Sequence, residues 1–117
     1  MALPESAYVA LLVLLEQPYA DVGRNLGAHL RAISIAGRFE PEPSDVSLRD
    51  LMLFALRSES AYWYERAVDW LESGAAIDGY IVAVIKARAP DRSLPQGARH
   101  RAFTVARRWE ESEHADR

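Results

Sequence analysis

The sequence predicts an all-α protein of about six helices in three consecutive hairpins, forming either an irregular bundle or a short HEAT-like stack. Three observations lead there. Apolar residues recur at helical spacing along nearly the whole chain. Proline and glycine interrupt that pattern at intervals suited to helices of a few turns. The chain has 117 residues, half of them hydrophobic. That is enough for one core and too little for two, so residues 1–117 are read as a single domain.

The first helix covers about Glu5 to Glu16. Pro4 suits its start, and Pro18 prevents its continuation. Tyr8, Val9, Leu11, Leu12, Val13, Leu14 and Leu15 leave it no polar face, as in a helix central to the fold or packed against a second chain. Its apolar run, AYVALLVLL, is far shorter than the roughly 20 residues that span a bilayer. Glu5 stands where a secretory signal would be basic. With no cysteine in the chain, the expectation is a cytoplasmic protein without disulfides and without a membrane partner.

The second helix covers about Ala20 to Ala36, with Val22, Leu26, His29, Leu30 and Ile33 at helical spacing and Gly37 as its cap. Gly23 and Gly27 would allow a close helix approach. RFEPEPSD, with Pro41 and Pro43, is a loop. Ser47 and Asp50 resemble a capping box that opens the third helix, which ends near Arg57. Phe54 falls away from its Leu48, Leu51, Met52, Ala55 and Leu56 face and is a candidate interface residue.

The fourth helix starts after Ser58 or Ser60 and ends at Gly74. It contains AYWYERAVDW, residues 61 to 70, with two of the chain's three tryptophans and two of its five tyrosines. On a helix, Trp63, Ala67, Trp70 and Leu71 share one face, with Tyr64 and Val68 at its margin, so these rings are read as core. Glu65, Asp69 and Glu72 lie opposite, which disfavours a stacking platform for nucleic acid. Tyr62 alone stands among polar residues, and it is the second candidate interface residue.

The fifth helix covers about Asp78 to Arg88. YIVAVI is rich in β-branched residues, so residues 80–85 could also form a strand. A lone strand would leave its backbone groups unpaired, which favours helix. After a loop from Pro90 to Gly97, the sixth helix runs to about Ser112 with Ala98, Ala102, Val105 and Trp109 on one face. The fourth and sixth helices end alike, in WLES (70–73) and WEES (109–112). Residues 109–117 make an acidic tail that can fray.

Charge is segregated along the chain. Residues 1–85 carry a net −6, residues 86–108 a net +6 and residues 109–117 a net −3, against −3 overall. Thirteen of the fourteen basic residues are arginines, Lys86 being the exception. Within the basic strip, Arg99, Arg101, Arg107 and Arg108 are candidates for gripping an anion or an acidic partner. Pairing within the chain, such as Arg107 with Glu111, would instead make the strip an ordinary solvated face. A general nucleic-acid binder is more often basic overall.

Motifs for chemistry are weak. His29 suits a boundary position, and His100 lies within the basic strip. His114 follows Glu110 by one helical turn, too little for a metal site. Glu40 and Glu42 sit in a proline-rich loop. No residues assemble a nucleophile, a base and an orienting group, and no catalytic residue, cofactor or metal is assigned. The leading expectation is a helical protein-interaction module that binds a protein partner or itself, as a homo-oligomer and most simply a dimer. Anion or nucleic-acid binding through residues 86–108 is the alternative. A small-molecule enzyme stands third.

Overall fold

A computed structural model describes residues 5–34 and 42–115, and all the regular structure among them is helical. The α-helices are α1 (Glu5–Leu11), α2 (Tyr19–Arg24), α3 (Leu26–Ser34), α4 (Leu48–Leu56), α5 (Ala61–Glu72), α6 (Gly79–Arg88) and α7 (Gln96–Ala115). Short 3-10 turns cover Leu12–Glu16 and Pro43–Asp45. None of these helices is long and apolar enough to cross a membrane.

The first predicted helix has the expected span but tightens to 3-10 geometry after Leu11. Its stop is local. Gln17 is extended, with ψ 155°, because the ring of Pro18 disfavours the helical region for the residue before it. The second predicted helix is divided at Asn25, which leaves helical geometry at φ −124° and ψ 35°. Gly23, Asn25 and Gly27 are poor helix formers within one short stretch, and the Asn25 amide donates to Asp21 Oδ1 at 3.1 Å. The predicted cap at Gly37 and the residues Glu40 and Pro41 lie outside the described residues.

Capping explains the later boundaries. Ser47 Oγ accepts from the Asp50 amide at 3.1 Å. The other half of a capping box is filled differently, since the Ser47 amide donates to the Tyr8 hydroxyl at 3.4 Å. Of the two predicted caps for α5, Ser60 takes the role, accepting from the Trp63 amide. At the far end Gly74 adopts φ 103°. The Ala75 amide then reaches the Trp70 carbonyl at 3.1 Å and the Gly74 amide reaches Leu71 at 3.5 Å, a Schellman closure that only glycine makes without strain.

Residues 80–85 are helical. Asp78 caps α6 by accepting from the Ile81 amide at 2.9 Å, and Ile81, Val82 and Ile85 are buried on one side.

The bundle is irregular. α4 pairs with α5 and α6 with α7, giving the second and third predicted hairpins. α1 and its 3-10 extension lie against α4 and α5, and α5 also packs on α7. All of these elements feed one core in which Leu11, Leu51, Tyr64, Val68, Trp70, Ile81 and Ala102 are fully buried. Trp70 joins its edges. Its ring meets Tyr19 edge-on at 5.1 Å, and its indole N–H donates to the Gln17 carbonyl at 2.9 Å.

Candidate functional site

The basic strip is largely consumed inside the chain. Arg88 donates to the carbonyls of Leu56 at 2.7 Å and Ser58 at 2.5 Å and to Asp91 at 2.9 Å. It thus ties α6 to the end of α4. Arg99 donates to the Leu94 carbonyl at 3.1 Å and the Ala89 carbonyl at 2.7 Å. Arg101 reaches across from α7 to Asp69 and Glu72 on α5. Hydrogen bonds to Glu72 and then Asp69 raise its already high pKa further. Lys86 pairs with Glu110 at 2.7 Å.

What stays open is smaller. Arg107 meets Glu111 at 3.9 Å, with both side chains well exposed, the pairing expected from helical spacing. Arg108 has no acidic partner among the described residues and borders a shallow depression of about 540 Å³. Leu71, Ile77, Val105 and Trp109 supply its apolar walls. Of the four candidate arginines, Arg107 and Arg108 therefore face solvent, while Arg99 and Arg101 are held by other parts of the fold.

The two candidate interface residues occupy different surroundings. The Tyr62 ring is 47 % exposed, and its hydroxyl donates to Glu16 Oε2. That hydrogen bond raises the phenol pKa. Arg66 lies 5.1 Å over the Tyr62 ring, and Trp63 meets it edge-on at 4.8 Å. A tie to the end of the first helical segment thus accounts for a tyrosine placed among polar residues. Phe54 is half-buried, 6.4 Å from the Tyr8 ring, and lines a groove of about 270 Å³ between α1, α4 and α6.

That groove collects Tyr8, Arg49, Asp50, Leu53, Phe54, Arg57 and Tyr80. Tyr80 stands 51 % exposed at its edge, with the guanidinium carbons of Arg49 and Arg57 at 5.7 and 5.1 Å from its ring centre. Arg49 donates to Asp78 at 2.5 Å. This bond holds the Asp78 carboxyl below its usual range, assisted by the Ile81 amide. Sequence reasoning did not single out Tyr80, Arg49 or Arg57. The available signal was the spacing of Arg49, Leu53 and Arg57 at successive four-residue steps, which brings two cations and an apolar residue onto one stripe.

Groups suited to chemistry remain scattered. No cluster of three metal-ligating side chains occurs among the described residues. His29 pairs with Asp21 at 2.9 Å, and the His114 side chain lies outside the described residues. The Tyr64 hydroxyl is buried without a hydrogen-bond partner, and burial raises its pKa. Arg88 lies 5.6 Å from that ring, but no side-chain base accepts from the hydroxyl.

Comparison with known proteins finds no matching family, no similar curated protein and no similar solved structure.

Proposed function

We propose that this chain is a small protein-interaction module that self-associates and works by contact rather than catalysis. The observation that carries this reading is apolar surface left uncovered by the fold. Val9 and Val13, one turn apart on the first helical segment, are 59 % and 44 % exposed, although Tyr8, Leu11, Leu12, Leu14 and Leu15 of that segment are buried. Tyr80 and half-buried Phe54 border a second such region, the α4–α6 groove. Isolated exposed apolar residues are ordinary, whereas contiguous ones point to a contact surface.

Sedimentation velocity with light scattering, over a concentration series of the whole chain, tests this reading. A species of twice the monomer mass at micromolar concentration is expected. A monomer at high micromolar concentration overturns self-association.

A second reading keeps a specific observation in its favour. Arg108 has no acidic partner among the described residues, and Arg107 has only an exposed one. These side chains could hold an anion, including a phosphate backbone. Such binding would weaken steeply with salt and fall when both arginines become alanine. Binding to mixed DNA or RNA that is absent, or indifferent to salt, removes this reading.

A further inference from the structure

Of the uncovered surfaces, the α4 groove is the one that complements itself. Asp50, Leu53, Phe54 and Arg57 all line it. Offsets of three, four and seven residues from Asp50 place them on one helical stripe. The acid lies at the N-terminal end and the base at the C-terminal end, roughly 10 Å apart at the helical rise per residue. The midpoint falls between Leu53 and Phe54. A second copy of the stripe laid antiparallel about that midpoint sets Asp50 opposite Arg57 at both ends and Leu53 opposite Phe54 between them.

These two charges are available for the purpose. Arg57 has no acidic partner among the described residues and only lies beside the Tyr80 ring. Asp50 meets Arg49 at 3.5 Å, with both side chains about half exposed, while the closer partner of Arg49 is Asp78 at 2.5 Å. Arg49 and Asp78 are thus satisfied within the chain, leaving an acid and a base facing outward around an apolar centre. Tyr80, half exposed at the rim, adds aromatic surface to the same patch. By contrast, the Val9 and Val13 stripe has no such pair of opposite charges among the described residues. Its nearby acid, Glu16, accepts from Tyr62.

We propose that two copies of this chain pair antiparallel through the α4 groove about a two-fold axis. Such a contact uses the same patch on both chains and therefore closes at two. Complementary charges at its ends fix the register. The proposal rests on the self-association reading above and names the surface that serves it.

Charge exchange tests it, with the whole chain followed by sedimentation velocity and with helicity checked by circular dichroism. Asp50→Arg and Arg57→Asp, each alone, oppose like charges at both ends and should weaken dimerisation at least tenfold. An equimolar mixture of the two variants restores opposite charges at both ends and should recover a dimer of the original strength. Tyr80→Ala, at an exposed position, should also weaken the dimer without loss of helicity. If both charge variants remain dimeric while Val9→Lys with Val13→Lys dissociates, the interface lies on α1; the groove is then overturned and self-association stands. If the single variants dissociate and the mixture does not recover, the antiparallel register is wrong. A wild-type monomer at high micromolar concentration overturns both readings together.

Discussion

The α5–α7 seam and the α4–α6 face are built from the same residue types and treat them in opposite ways. In the seam, Arg101 closes onto Asp69 and Glu72, and on the other side of α7 Lys86 of α6 closes onto Glu110. On the α4–α6 face, Arg49 is closed by Asp78, but Arg57, Asp50 and Tyr80 remain turned outward. The strong division of charge along the chain is therefore mostly internal. It places a basic helix beside an acidic one, and Arg101 bridges the two while Arg107 and Arg108 stay in solvent. The surface proposed for a partner is locally balanced and leaves little trace in a running charge count.

The largest effect should come from the core beneath the seam, where α5 meets the end of the first helical segment. Trp70→Ala removes a buried ring, its edge contact with Tyr19 and the hydrogen bond to Gln17. Large-to-small changes of this kind cost about 3–5 kcal/mol, a substantial part of the roughly 5–15 kcal/mol that stabilises a typical domain. Urea unfolding followed by far-UV circular dichroism should show it. A loss under about 1 kcal/mol, within the ordinary range for a point mutation, would mean that Trp70 is not a main support of the core.

Next comes Arg88, which ties α6 to the end of α4 through two carbonyls and also pairs with Asp91. Arg88→Met should destabilise by about 2–3 kcal/mol, because hydrogen bonds to a charged group are lost from a largely buried site. Arg88→Lys should recover little, since a compact ammonium cannot span all three acceptors. The same unit has a pH signature. Ser93 and then Arg88 hold the Asp91 carboxyl at about 2, down from 3.8. A depressed carboxyl contributes stability that is complete above its unfolded value and fades as the pH falls through the folded one. The chain should therefore lose this contribution between about pH 4 and pH 2, and Asp91→Asn should flatten the acid limb of a stability–pH curve over that window.

Arg101→Gln probes the seam itself, and its effect should be smaller. Three hydrogen bonds are lost, but the groups involved are about two-fifths exposed, so solvent screening reduces their worth to about 1 kcal/mol. Arg66 remains 3.1 Å from Asp69 and compensates in part. Unfolding in low and high salt should show a difference from wild type that shrinks as salt rises. A salt-independent loss would point to packing by the arginine stem rather than charge.

Much of this fold was legible because its signals are local. Ser47, Ser60 and Asp78 cap helices whose amides lie three residues on, and Gly74 closes α5 within its own turn. Periodicity placed Trp70 and Leu71 in the core. The break at Asn25 was obscured because the apolar spacing from Val22 to Ile33 runs through it unbroken. The candidate site was less legible because its members meet only in space. Arg101 and Glu72 are 29 residues apart, as are Arg49 and Asp78, and Tyr62 and Glu16 are 46 apart. Spacing on one helix can show that an arginine faces outward, but it cannot show which helix arrives to meet it. That is why Arg99 and Arg101 resembled Arg107 and Arg108 on the page and differ from them in the fold.

The smallest expected effect on stability is also the sharpest test of the contrast between closed and open surface. Val9→Lys combined with Val13→Lys changes two side chains that the folded chain leaves largely in water. Both positions lie one turn apart on a helix, and lysine is at least as good a helix former as valine. Folding stability should therefore stay within about 0.5 kcal/mol of wild type. The same pair should leave the dimer proposed for the α4 groove in place, because neither residue lines that groove. A loss well beyond 1 kcal/mol, measured at a concentration where the chain is monomeric, would show that these valines are covered within one chain in solution. α1 would then belong with the seam among the closed regions, and the α4 groove would be the principal uncovered apolar surface.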